Sequence, residues 1–420
     1  MAGPLTGVRI LDLTRILAGP WATQTLADLG AEVIKVEKPG SGDDTREMGP
    51  PFMRDAETGE RADAAYFLSC NRGKESVAID LSLPRGRALI RELAAQCDVL
   101  IENYKVGGLA KYGLDYATLH AELPELIYCS VTGFGQTGPY RQRAGYDYLI
   151  QGMGGLMSVT GERDDRPGGG PQRAGVALAD ILSGMYASVA ILAALRHREQ
   201  GGGGQHIDIG MLDVQVAVLA NQAMNYLTTG VAPRRMGAAH PNIAPYQPFP
   251  ASDGYIILAV GNDAQFRRMC HAMQRDDIGQ NPRFGTIGER VEHVVALTEL
   301  IESITRTRTI DEWVAAMEAA DVPCGPVNTI DRVFADPHVE ARGMRLDLPH
   351  SRYVSVPSVA SPIRLSETPV AYRGGPPARG EHTRATLARV LGLDDAQLDA
   401  LERAGVVECT ARDGKQPVNA

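Results

Sequence analysis

Short apolar runs and amphipathic stretches alternate along the N-terminal half of the chain, and that alternation predicts its fold. Val8–Leu13, Glu32–Glu37, Ser76–Leu81, Asp98–Asn103 and Leu126–Thr132 have strand character. Between them, Pro20–Leu29, the segment opened by Ser82 and Pro84 and running through Ala95, and Tyr116–Leu123 read as helices. Strands separated by helices in this way form βαβ units, which build a parallel sheet. This half is expected to be α/β.

Farther on, a helix is expected from about Leu149, then a glycine-rich loop, Gly161–Pro171. The apolar run Gly175–Ala179 has strand character and leads into a long apolar helix from Asp180 to about Arg198. Gly201–Gly204 breaks the chain before a short strand, Gln205–Ile209, and a helix near Met211–Leu227. Thr229–Pro250, rich in Pro, Gly and His, reads as a linker or flap. A smaller unit follows, with strand Tyr255–Val260 and helices Ala264–Met273, Val291–Thr305 and Ile310–Ala320. Pro337–Pro377 is proline-punctuated and expected to be extended. Two amphipathic helices, Thr383–Leu391 and Asp395–Ala404, precede a polar tail, Glu408–Ala420, expected to fray.

Composition narrows the class. With 420 residues the chain exceeds one ordinary core, and 44% hydrophobic with 22% charged residues excludes disordered and fibrous classes. Forty-two Lys+Arg against fifty-one Asp+Glu give a net charge of −9, which argues against a nucleic-acid coat but allows local basic pockets. The six cysteines are scattered without metal spacing, so reduced thiols in a cytoplasmic protein are expected. The opening residues lack a leader pattern, and the apolar stretch Ile181–Leu195 is interrupted and short for a membrane span. No metal site and no membrane partner are expected.

The most obvious motif misleads. Gly133-Phe134-Gly135-Gln136-Thr137-Gly138 fits the dinucleotide fingerprint, yet Pro139 follows and no helical periodicity begins inside it. Neither a nucleophile elbow nor a zinc-protease pattern is present. Chemistry here would have to run on a group that needs no activating base. A carboxylate qualifies, being ionised at neutral pH with an ordinary pKa near ~3.9 and able to form an acyl intermediate directly. Asp180, between an apolar run and an apolar helix, fits two roles. It is either an N-cap or a carboxylate that helix N–H groups keep ionised beside an oxyanion site.

Beyond single motifs, Asp12-Leu13-Thr14-Arg15, Leu17-Ala18-Gly19-Pro20 and Leu29-Gly30-Ala31 through Glu37 resemble the opening of the class III CoA-transferase (CaiB/BaiF) family. The resemblance continues in order through Gly42–Arg46, Asn71-Arg72-Gly73-Lys74, Glu102-Asn103-Tyr104, Gly133–Pro139 and Gly145-Tyr146-Asp147. Gly154–Met157, Gly175–Ala177 with Asp180, Gly204-Gln205, Gly380–Thr383 and Ala404–Val407 complete it.

The resemblance implies a Rossmann-like large domain with a parallel sheet over 1–225, binding CoA and carrying the nucleophile. It also implies a smaller α+β domain over 226–335, and a return segment with C-terminal helices over 336–420 that completes the large domain, in an interlocked homodimer. It implies CoA transfer from an acyl-CoA to a carboxylic acid with Asp180 as nucleophile, through an aspartyl anhydride and an aspartyl-CoA thioester. Tyr146 and Asp147 are placed in the catalytic group. Lys38, Lys74, Lys105 and Lys111 are implied for the CoA phosphates, and Asn71, Asn103 and Tyr104 for the nucleotide. Arg72 and Gly73 belong to the same binding motif, and Arg15, Leu17 and Ala18 fall at the pantetheine and thioester end. CoA and acyl-CoA enter as substrates, with no permanently bound cofactor. The related α-methylacyl-CoA racemases carry Gly-His-Asp where this chain has Gly145-Tyr146-Asp147, so isomerase chemistry is the alternative, and a non-catalytic CoA-binding scaffold the second. The stretch Met236–Phe249, with Gly49–Phe52 and Ile127–Ser130, is most similar to members that move CoA between succinate and glutarate. Arg15, Arg46 and Arg173 are the candidates for reading a distal carboxylate.

Overall fold

Seven strands make the main sheet of the computed structural model, which describes residues 3–410. Their spatial order is Val407–Glu408, Glu75–Ile79, Glu32–Glu37, Arg9–Asp12, Val99–Glu102, Ile127–Thr132 and His206–Gly210. All run parallel except Val407–Glu408, which pairs antiparallel with Ala78 and Ile79. The sheet is covered on both faces, as its apolar strands demand. Leu11, Ile34 and Val77 pack on one side with Leu89, Leu93, Leu119 and Leu387. Their strand neighbours Ile10 and Val33 pack on the other with Ala22, Leu26, Ala187 and Ile191.

The strand order carries the functional information. From Arg9–Asp12 the chain first builds outward through Glu32–Glu37 and Glu75–Ile79, then reverses through Val99–Glu102 and Ile127–Thr132. Open α/β sheets take their ligands outside the carboxyl ends of the strands that flank such a reversal. The loop after Arg9–Asp12 and the loop after Val99–Glu102 meet there: Asn103 Oδ1 accepts the Arg15 N–H at 3.0 Å, and Asn103 Nδ2 donates to the Arg15 carbonyl at 2.7 Å.

Two compact units divide the chain: Met1–Gly155 with Gly175–Ala220 and Glu340–Ala420, and Leu156–Ala174 with Asn221–Val339. The second has a three-stranded antiparallel sheet in the order Cys324–Pro326, Tyr255–Ala259, Tyr246–Pro250. Its core gathers Phe249, Ile256, Phe266, Trp313 and Met317.

Several expected elements differ. Gly175–Ala177 is loop, and the helix begins at Leu178, so the apolar run ahead of Asp180 is no strand. That helix, Leu178–Glu199, has 22 residues and is long and apolar enough to cross a membrane by length and composition, contrary to the short span expected. One of its sides packs in the sheet-covering core. Met211–Leu227 is two helices, Met211–Ala217 and Ala220–Thr229, because Ala220 takes φ 47°, a left-handed value that breaks the hydrogen-bond ladder. Pro337–Pro377 is not wholly extended: it holds the helix Pro337–Ala341 and a hairpin pairing Arg345–Pro349 with Ser355–Val359. Glu408 is not frayed, since it lies in the sheet and pairs with Arg379 at 2.7 Å. The remainder of the expected tail, 411–420, lies outside the described residues.

Candidate active site

Close backbone approach explains how the sequence assembles the site. A Cβ on Gly133 would lie 2.4 Å from the Gly145 Cα, so only glycine at both positions lets the two ends of the Gly133–Gly145 loop touch. That contact sets Tyr146 and Asp147 at the start of the helix Asp147–Met153. A Cβ on Gly184 would lie 2.5 Å from the Ala18 carbonyl oxygen, so this glycine lets Leu178–Glu199 lie directly on the helix Ala18–Asp28. No helix begins within Gly133–Gly138, as the missing helical periodicity predicts.

Asp180 is the third residue of its helix, and Ala177 is the N-cap, with no side-chain cap of its own. The N-cap role expected for Asp180 is therefore wrong. The cap comes from another helix: Asp147 Oδ1 accepts the Ala179 N–H at 2.9 Å and the Asp180 N–H at 3.4 Å. Gln151 Nε2 holds Asp147 Oδ2 at 2.8 Å. The flanking amides are also engaged, Leu178 N with the Val176 carbonyl at 2.9 Å and Ile181 N with the Ala177 carbonyl at 3.0 Å. The helix start thus offers its N–H groups neither to the Asp180 carboxylate nor to an oxyanion, contrary to expectation.

Asp180 is only 9% exposed. Burial, reinforced by the negative charge of Asp147, pushes its carboxyl up to about 7, so desolvation outweighs the helix field that was expected to keep it ionised. Tyr66, in the short helix Ala65–Leu68, faces the same carboxylate: burial and then the Asp180 charge push its phenol up to about 12. Tyr66 was not anticipated. It lies in an apolar run, and its only sequence signal is its position five residues before Asn71.

A cleft of about 360 Å³ opens at the carboxyl ends of Arg9–Asp12, Glu32–Glu37 and Glu75–Ile79. Arg15, Lys38, Asp44, Ser82 and Tyr104 are among its lining residues. Arg15 and Asp44 form a half-exposed ion pair at 2.9 Å, and the Arg15 guanidinium lies 5.7 Å from the Tyr104 ring centre. Beside Arg15, Ile16 takes φ 71°, a strained conformation for a β-branched residue. Asp43 Oδ1 accepts the Ile16 N–H at 3.3 Å, and the buried Cys70 thiol lies against the Ile16 carbonyl. Asp43 is itself fixed by Lys35 at 2.8 Å, with neither side chain exposed. Burial alone would raise Asp43, but Lys35 outweighs it and holds the carboxyl down at about 2. Leu17 and Ala18 follow, buried at the helix entry.

The remaining predicted residues divide sharply. Lys38, Lys105 and Lys111 are exposed, with Lys111 Nζ 4.6 Å from the Tyr112 ring centre. Lys74 is not available to a phosphate: its ammonium is buried against Asp12 Oδ2, the Pro20 carbonyl and Asn71 Oδ1. Asn71 is consumed by that contact and by donation to the Phe67 carbonyl at 2.9 Å. Arg72 pairs with Asp28 and donates to the Val359 carbonyl, while Gly73 (φ 71°) makes the turn between them and Lys74. These groups tie the loop before Glu75–Ile79 to the helix Ala18–Asp28. Arg46, buried between Glu37 and Asp63, is likewise excluded as a reader of a distal carboxylate. Tyr146 is 71% exposed. Arg173, by contrast, belongs to the second unit, where it donates to the Ala174 carbonyl at 3.3 Å.

Residues 5–383 match the family model described as CoA-transferase family III. The chain belongs to that family. It is 52% identical over 387 residues to succinate–glutarate CoA-transferase of Agrobacterium fabrum, covering 92% of this chain and 96% of that protein. Identity to the human succinyl-CoA:glutarate CoA-transferase is 42% over 407 residues, covering 96% of this chain and 90% of that protein. Among solved structures, a CaiB/BaiF family protein from Brucella suis superposes with a TM-score of 0.82 at 50% identity, covering 93% of this chain and 100% of that one. As a family III CoA-transferase the protein acts on CoA thioesters. The family also accounts for Gly133–Pro139, which is a structural loop joining the sheet to Asp147.

Proposed function

We propose that this CoA-transferase moves CoA from succinyl-CoA to glutarate or a close dicarboxylic acid through covalent intermediates on Asp180. The observation that carries the reading is the buried, base-shifted Asp180 in a chain half-identical to a succinate–glutarate transferase. An Asp180 oxygen attacks the thioester carbonyl, the C–S bond breaks, and CoA leaves as thiolate. That thiolate attacks the Asp180 carboxyl carbon of the anhydride, succinate leaves, and an aspartyl-CoA thioester remains. The acceptor carboxylate then attacks the thioester, and the same steps in reverse release its CoA ester. One thioester is exchanged for another, so neither ATP nor a metal is consumed.

Burial favours this route for a specific reason. A desolvated carboxylate beside a second carboxylate is held in an unfavourable charged state. Acylation removes the Asp180 charge just as protonation does, so the environment that raises its pKa also favours the intermediates. The cleft that Arg15 and Lys38 line suits the CoA nucleotide, with these two as cations for its phosphates and Tyr104 as an aromatic surface. The exposed Lys105 and Lys111 outside it are further cations. The unit made of Met1–Gly155, Gly175–Ala220 and Glu340–Ala420, rather than 1–225 with 336–420, carries this machinery.

The interlocked homodimer remains our reading of the assembly. Met185, Tyr186, Val189 and Leu192 line the outer side of Leu178–Glu199 at 37%, 46%, 61% and 36% exposure, an apolar stripe suited to a second copy. All six cysteines are unpaired, which suits the reducing cytoplasm. The test is turnover of the purified enzyme with succinyl-CoA and a panel of mono- and dicarboxylic acids, without ATP or metal. Glutaryl-CoA formation is expected. Transfer to monocarboxylates alone would overturn the substrate assignment and leave the family standing.

A further inference from the structure

Asp147 engages both of its carboxylate oxygens. Oδ1 takes the Ala179 and Asp180 N–H groups, and Oδ2 takes the amide of Gln151, a fully buried side chain. Gln151 Nε2 also reaches the Val176 carbonyl at 3.4 Å, so one side chain ties Asp147 and the loop before Asp180 together. The start of a helix normally frays, because its amides lack intrahelical partners. Here a carboxylate from a different helix takes two of those amides, one of them belonging to Asp180 itself.

We propose that Asp147 is the positioning residue for Asp180. It fixes the helix start and hence the location of the reacting carboxylate, and it occupies the N–H groups that would otherwise stabilise that carboxylate's charge. This inference rests on the reading of Asp180 as nucleophile. It accounts for a second carboxylate close to a buried one: the repulsion between them is offset by the hydrogen bonds Asp147 accepts from Ala179, Asp180 and Gln151. Capping from outside lets the helix begin firmly without its dipole being spent on Asp180. Asp180 then stays basic, as attack on a thioester requires.

The test compares Asp147→Ala, Asp147→Asn and Asp180→Asn with wild type, using succinyl-CoA and glutarate between about pH 5 and 9. Among the described residues the titratable groups facing Asp180 are Asp147 and Tyr66, and Tyr66 also faces Asp147. Asp147→Ala loses the cap, so kcat should fall about 10- to 100-fold with the KM for succinyl-CoA little changed. Asp147→Asn keeps an oxygen for the two amides and removes the charge, with the Gln151 amide turning over so that its oxygen accepts from the new Nδ2. It should recover most of that loss and move the acid limb of kcat to lower pH. A purely structural role would not move that limb.

If Asp147→Ala retained kcat within about twofold, or if the Asn variant lost as much activity with an unmoved acid limb, the proposal would be overturned. Should Asp147→Ala fail to fold in a thermal melt, the limb of the Asn variant decides alone. Asp180→Asn separates the two readings. Turnover in that variant would remove the nucleophile assignment, whereas its inactivity beside a normal Asp147→Ala would remove only the positioning role.

Discussion

Lys74 Nζ lies 3.2 Å from Asp12 Oδ2, and neither side chain has any exposed surface. Asp12 also accepts from Thr14 and Thr23, so the pair anchors the first strand to the loop that carries Arg15. Burial depresses the Lys74 ammonium to about 8 even though Asp12 favours its charge. Lys74→Ala would leave Asp12 buried without that cation, and should destabilise the protein by about 3–5 kcal/mol in denaturant unfolding. A loss below about 1 kcal/mol together with a tenfold weaker CoA affinity would return Lys74 to a phosphate-binding role.

The nucleophile can be tested by the same substitution in two ways. Asp180→Asn should abolish transfer while leaving CoA binding intact, and hydroxylamine should trap acylated wild-type protein at Asp180. The variant should also be more stable than wild type above pH 7. A carboxyl raised to about 7 in the folded state makes ionisation costly to folding. That cost grows as pH rises from the unfolded value toward the folded one and is complete above it. The gain should be on the order of 1–4 kcal/mol. Equal stability of the two proteins at pH 8 would contradict the buried-carboxylate picture.

Catalysis should show the corresponding acid limb. Only ionised Asp180 attacks a thioester, so kcat should fall as pH drops through about 7 and level off above it. A profile flat down to about pH 5 would mean that Asp180 ionises like an exposed carboxylate.

Arg15 and Arg46 should separate cleanly, although both are arginines flanking the same loop. Arg46→Ala removes the partner of Glu37 and Asp63 and should act on stability. Arg15→Ala breaks a half-exposed pair with Asp44 and the contact with the Tyr104 ring, and should raise the KM for the CoA substrate about tenfold with little change in melting. The opposite pattern would exchange their roles.

Proton exchange distinguishes transfer from isomerisation. The racemases use a histidine where this chain has the largely exposed Tyr146. Incubating a 2-methylacyl-CoA with the enzyme in deuterated water should give negligible α-deuterium. Rapid washout without acyl exchange would reverse that assignment.

The sheet was legible because its strands are buried on both faces and read as apolar runs bounded by turn residues. Arg9–Asp12, Glu32–Glu37 and Ile127–Thr132 fall within a residue or two of their expected limits. The position of Asp180 near a helix start was legible for a similar reason. Its electrostatics were not. They depend on burial and on Asp147, which is distant in sequence and meets Asp180 only through packing. The same limit applies to the basic residues: nothing in Asn71-Arg72-Gly73-Lys74 distinguishes a buried Lys74 from a surface lysine awaiting a phosphate. Ala220 was missed because alanine carries no turn signal, and its left-handed φ is imposed by its surroundings.

The left-handed backbone at Ile16 has a consequence for engineering. Asparagine or glycine at this position would relieve roughly 1–2 kcal/mol of backbone strain, at the expense of a side chain that is only partly buried. A library selected for heat resistance alone should therefore enrich those residues at 16, directly between Arg15 and Leu17. Selection for turnover should preserve the branched side chain if the rigidity of that loop matters. Running both selections on one library would show whether thermal tolerance and turnover compete at this single position.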